Sequence, residues 1–133
     1  MAYDANELFQ SQAGVGSGLR AQATSVQPKT LAGGTGTIAK LTPMAFNTST
    51  GFWVIWDQDG TNGTNTIQGF LWPDSHTLVS GAETIANVML GGRIHVDDIP
   101  VVAANYSEAQ LKTALRSGIR EKGFIIEGLD AFR

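Results

Sequence analysis

Apolar positions are densest between Leu41 and Trp72 of this chain. Two compact runs lie there, Phe52-Trp53-Val54-Ile55-Trp56 and Ile67-Gln68-Gly69-Phe70-Leu71-Trp72, and they hold all three tryptophans. Between them, Asp57 to Asn65 offers almost nothing a core would accept. Short β-branched and aromatic runs bounded by Gly, Asn and Asp predict strands joined by a turn. Asp59-Gly60 and Asn62-Gly63 supply residues that tolerate positive φ. The pattern predicts a β-hairpin with a long, structured tip, and Trp53, Trp56, Phe70 and Trp72 as its core. The first run is apolar on both faces, as in a central strand or a strand inside an oligomer. A Trp or Phe buries roughly 150–250 Å². At about 25 cal/mol per Å² that is roughly 4–6 kcal/mol per ring as an upper bound.

On either side the pattern is shorter-ranged. Thr37-Ile38-Ala39-Lys40-Leu41 predicts a bent strand with Gly36 at its corner. Gly34-x-Gly36 is no dinucleotide turn, because no strand precedes it and no helix pattern follows. Met44-Ala45-Phe46 predicts a short strand, and Asn47 to Gly51 a tight turn into the tryptophan run. Pro73-Asp74 ends the second run, and His76 to Ser80 reads as a connection. Ile85 to Leu90 predicts a strand, Gly91-Gly92 a bend, and Arg93 to Val96 a further strand ended by Asp97-Asp98. Ser107 and Gln110 form a capping box. Leu111, Ala114, Leu115 and Ile119 then share one face, which predicts a helix over about 107–121. A last strand is expected over about 123–128.

Residues 1–30 follow no period. Leu8, Phe9, Val15, Leu19 and Val26 are scattered among Ser, Gln, Ala and Gly. Gly14, Gly16 and Gly18 would break a helix. Such a segment buries too little apolar surface to offset its ordering cost. It predicts an arm that orders against a partner through those five residues, followed by a β-rich domain over 31–133. The fold class expected is mainly β (α+β).

Bulk properties narrow the function. The chain has 133 residues, 42% hydrophobic and 16% charged, and no cysteine. One domain is expected, with no disulfide and no Cys-held metal. A formal net charge of −3 leaves no electrostatic footprint for nucleic acid. No apolar run approaches the roughly 20 residues needed to cross a bilayer, and the start lacks the pattern of a secretion signal. The Asn-x-Ser/Thr sequons at Asn47, Asn62 and Asn105 read as chance in a chain rich in Asn and Thr.

Candidate chemistry is sparse. Asp57-x-Asp59-Gly60 starts like a calcium loop, but position 12 is Gln68 where an acid is required. Asx-turns at a hairpin tip explain it better. His76 and His95 lack zinc spacing. Gly16-Ser17-Gly18 sits where no strand-to-helix elbow can form. Asp97 and Asp98 are neighbours on a strand, so they point to opposite faces and cannot share a proton. No acid, base and oxyanion donor assemble. We expect no catalytic residue, no cofactor and no metal.

Four segments in order resemble the head decoration proteins of tailed bacteriophages, the lambda protein D type. They are Leu41-Thr-Pro-Met-Ala-Phe-Asn-x-Ser-Thr-Gly51, Val54-Ile-Trp-Asp-Gln-Asp-Gly60, Gln68-Gly-Phe-Leu71 and Gly92-Arg-Ile-His-Val-Asp-Asp-Ile99. The resemblance covers about residues 31–99; the helix and last strand align less readily. It implies a small bent β-ribbon ("β-clip") domain with an extended N-terminal arm. It further implies a homotrimer on the outer capsid surface of the virion, made in the host cytoplasm. The expected partner is the major capsid protein, whose sheet the arm would extend. Neither nucleic acid nor membrane is expected as a direct partner. The alternatives are a trimeric nucleotide hydrolase on a similar fold, or another virion structural component. The tail Gly128 to Arg133 carries one Gly and one aromatic, and Asp97 lacks the neighbours a magnesium site would need.

Overall fold

The computed structural model describes residues 21–129. Among the described residues, eight strands and one α-helix follow in order: β1 Gln22–Leu31, β2 Thr37–Ile38, β3 Pro43–Phe46, β4 Trp53–Ile55, β5 Gly69–Leu71, β6 His76–Thr77, β7 Thr84–His95, α1 Glu108–Arg116 and β8 Phe124–Glu127. The protein is a mainly β, α+β domain with one mixed sheet. Strand pairing runs β1-β4-β3-β5-β7-β8, and β7 also pairs with β1. Five strands therefore close into a ring. β8 lies outside it, parallel to the end of β7. β2 and β6 form a separate two-stranded ladder.

Neighbouring residues on the central strands face opposite ways, and the ring uses both faces. Leu31, Met44, Trp53, Leu71 and Val88, one from each ring strand, form an inner cluster with Ile38 of β2. Ala45, Phe70 and Met89 face outward into a second cluster. There they meet Trp56, Tyr106, Leu111, Leu115, Ile119 and Phe124. α1 and the loops before it thus seal the outer face of the ring's central strands. The capping box starts α1: the Gln110 N–H donates to Ser107 Oγ at 3.1 Å, and the Ser107 N–H donates to Gln110 Oε1 at 2.9 Å. Gly118, at φ 128°, breaks the helix before a short 3-10 turn, Ile119–Lys122.

Three expectations need correction. The two tryptophan-bearing runs do not pair as a hairpin, because β3 lies between β4 and β5 and hydrogen-bonds to both. Pro43-Met-Ala-Phe46 is buried at three of its four positions and pairs on both edges, and the polar stretch 57–66 crosses past it. Gly91-Gly92 does not end a strand either: β7 runs through it for 12 residues. The ladder is irregular on both strands there: the register skips Thr24 on β1 between Ala23 and Ser25, and Leu90 on β7 between Gly91 and Met89, and such bulges raise local twist. Finally, the arm does not extend to residue 30. Gln22 to Thr30 pair with β7 of the same chain, from Arg93 back to Ile85. Their side chains are mostly exposed, so a backbone ladder holds them and leaves no hydrophobic period to read.

Candidate docking surface

Cross-strand partners share a face of the sheet. The register pairs Val26 with Met89, Pro28 with Asn87 and Thr30 with Ile85. Met89 belongs to the outer cluster, so this whole row lies on the ring's outer face. α1 covers that face only as far as Met89. Beyond it, Val26 is 40% exposed and Ile85 68%, with Pro28, Thr30 and Asn87 also exposed. Trp72 continues the ledge. Its N–H donates to the Asn87 carbonyl at 3.2 Å, and the half-buried ring packs against the outer cluster. Lys40 Nζ stands 5.5 Å from the ring centroid, a distance at which a cation is attracted to the ring face. A shallow cleft of about 200 Å³ opens beside it, bordered by Trp72, Pro73, His76, Ile85 and Asn87. His76 Nε2 lies 2.7 Å from Thr84 Oγ1 at its side.

The row Val26, Pro28, Thr30, Ile85 and Asn87 carries no charge. Its chemistry suits contact with another polypeptide. Pro28 and Lys29 are residues that blunt an open strand edge. Lys29 Nζ stands 5.4 Å from the Trp53 ring centroid, on the other face of the ribbon. Pairing between β1 and β4 is confined to Leu31 with Trp53. Most of the β1 edge away from β7 therefore has no strand partner among the described residues.

The expected core residues divide between two clusters. Trp53 is inside the ring, while Trp56 and Phe70 are under α1. Trp72 is a rim residue. Val26 lies on the exposed ledge; Leu8, Phe9, Val15 and Leu19 fall outside the described residues. The sequence pattern did not single out Ile85 or Pro28. Only the pairing register of β1 brings them together, although an isolated Ile beside polar residues was a faint sign.

The polar loop has a structural explanation. The Asp59 N–H donates to Asp57 Oδ1 at 3.0 Å, an Asx-turn. The Gln58 N–H donates to the Asn105 carbonyl, and Asn105 Nδ2 donates to the Trp56 carbonyl at 3.2 Å. These bonds tie the loop to the segment before α1. Among the described residues, no three His, Cys, Asp or Glu side chains are grouped to hold a metal ion. His95 is half-buried, and its Nδ1 accepts from the Asp97 N–H at 3.2 Å.

Tyr106 is the titratable group most altered by the fold. Its ring centroid lies 4.7 Å from that of Trp56, and its hydroxyl donates to the Pro100 carbonyl at 2.6 Å. Burial pushes the hydroxyl pKa up to about 12, against a smaller lowering by a backbone hydrogen bond from Val102. A neutral, buried phenol with its bond made is a structural group. Trp56 Nε1 is buried without a hydrogen-bond partner, so the indole packs at some polar cost.

No model of a known protein family matches the chain, and no curated protein matches it.

Proposed function

We propose that this protein is a capsid decoration protein that binds the outside of an expanded phage head as a homotrimer and stabilises it. In this reading the ledge Val26–Pro28–Ile85–Trp72 and the open edge of β1 face other polypeptides. Residues 1–20 then extend a sheet of the major capsid protein. The observation that carries the reading is the exposed, uncharged outer face of the β1–β7 ribbon beside central ring strands whose outer face is sealed by α1 and the loops before it. The four family-like segments lend support: they supply β3, the β3–β4 turn, β4, β5 and the end of β7.

The energetics favour an arm over an isolated contact. Ordering six residues costs on the order of 6–12 kcal/mol. A strand added to a foreign edge regains backbone hydrogen bonds and side-chain pockets. In a trimer the second and third arms bind at high effective concentration. A symmetric shell offers every trimer the same target.

Electron cryo-microscopy of the expanded head tests the assignment. Density for this domain at local three-fold positions outside the shell is expected. Heads with no such density, or the chain found in tail or fibre, would replace it with another virion role.

A further inference from the structure

β1 and β4 pair in parallel only at Leu31 and Trp53, and beyond that point they part. The Ala32 N–H still donates to the Trp53 carbonyl at 3.1 Å. The next residues turn away. The Gly34 N–H donates to the Val79 carbonyl at 3.1 Å, and a Cβ on Gly33 would lie 2.9 Å from the Ala82 backbone. The β4 edge is therefore left open at Ile55. Ile55 faces Met44 of β3, and the flanking bond runs from the Trp56 N–H to the Pro43 carbonyl at 2.9 Å. That makes Met44 and Ile55 a non-hydrogen-bonded pair, so the Ile55 N–H and carbonyl point away from β3. Neither has a backbone partner among the described residues.

A cleft of about 310 Å³ fills this fork. Leu31, Ile38, Trp53 and Leu78 give it an apolar floor, and Asp57 borders it. Asp57 is half-buried. Its Oδ1 accepts from the Asp59 N–H, and no cation pairs with its carboxylate among the described residues.

We infer that the fork receives an extended segment of another polypeptide, antiparallel to β4, with an apolar residue opposite Ile55 and a basic residue two positions before it. Three features commit the site to this occupant. The first is backbone chemistry: Ile55 offers one donor and one acceptor on an open edge, the pair an added strand uses. The second is the floor. Cross-strand partners share a face, so the side chain opposite Ile55 lies over Leu31 and Leu78. The third is charge. Residues two apart on a strand share a face, so the next side chain on that face comes to Asp57, where a Lys or Arg supplies the missing cation. A small apolar molecule would leave Ile55 and Asp57 without partners. None of Val26, Pro28, Thr30 and Ile85 lines the fork. The inference does not rest on the decoration reading, and either can fail alone.

The test is a nuclear magnetic resonance titration of the full 133-residue chain, labelled on its amides, with the peptide acetyl-Thr-Lys-Thr-Val-Thr-amide. A saturable shift and slowed exchange of the Ile55 amide are expected. Replacing the peptide's Lys by Glu should weaken binding by at least about threefold. Asp57→Asn, which keeps an acceptor for the Asp59 N–H, should remove that difference. Methylating the peptide's Val nitrogen takes away the donor to the Ile55 carbonyl and should abolish binding. No saturable shift at Ile55, equal affinity for the Lys and Glu peptides, or indifference to the methyl group would each overturn the inference. Protection of the Ile55 amide that rises with protein concentration alone would give the edge to a second copy and overturn it equally.

Discussion

Leu31 and Trp53 stand opposite each other where β1 meets β4, and both are buried, at 0% and 9% exposure. This contact closes the five-stranded ring. The Ala32 N–H donates to the Trp53 carbonyl at 3.1 Å, so one residue pair and its flanking backbone bond hold the joint. Phe46 adds an aromatic contact to Trp53, with centroids 5.9 Å apart.

Trp53→Ala should therefore cost about 3–5 kcal/mol, as expected for truncating a buried aromatic. Trp56→Ala should cost a similar amount through the other cluster. Chemical denaturation measures both. A loss under about 1 kcal/mol at either site would mean that the ring is not a core residue.

Gly69 is fixed by close approach. A Cβ there would lie 2.6 Å from the Met89 carbonyl oxygen and 2.6 Å from Val88 Cγ1. The carbonyl is backbone and cannot swing aside. Gly69→Ala should cost about 1–3 kcal/mol, read as a lower denaturation midpoint at unchanged slope. A neutral result would mean that β5 does not approach the Met89 carbonyl this closely.

Tyr106 links stability to alkaline pH. Its folded pKa is raised to about 12, above the unfolded value of about 10. The folded state thus holds the phenolic proton more tightly. Its contribution is complete below pH of about 10 and is lost as pH rises toward about 12. Ultraviolet titration should show Tyr106 ionising well above the usual value of about 10. In Tyr106→Phe the alkaline loss of stability should shrink. A Tyr106 phenol that ionises near the usual value of about 10 in the folded protein would contradict the buried group.

Ser107 makes the α1 cap. Ser107→Ala removes the acceptor for the Gln110 N–H and should cost about 1 kcal/mol, measured by thermal or denaturant unfolding. An unchanged midpoint would mean that α1 is held by Leu111 and Leu115 alone.

How far the sequence could be read depended on what holds each element. Strands with buried side chains, such as β3 and β5, announced themselves, and so did α1 through Ser107, Gln110 and its Leu111–Leu115 stripe. Partner choice did not. Phe52 to Trp56 and Ile67 to Trp72 fit a hairpin by adjacency, and burial of Met44 and Ala45 on opposite faces of β3 decided otherwise. β1 was hidden because Gln22 to Thr30 gain backbone bonds to β7 without burying a periodic face. The ledge was hidden for the same reason. Val26 and Ile85 are 59 positions apart in sequence and come together only through that ladder.

The most direct test of the account is a binding titration against expanded heads lacking this protein, using the full chain, a Δ1–20 variant and Ile85→Asp. Ile85 is exposed, so Ile85→Asp should leave the unfolding midpoint nearly unchanged. The account predicts that both variants bind at least about tenfold more weakly, about 1.4 kcal/mol. Both binding as the full chain does would contradict it.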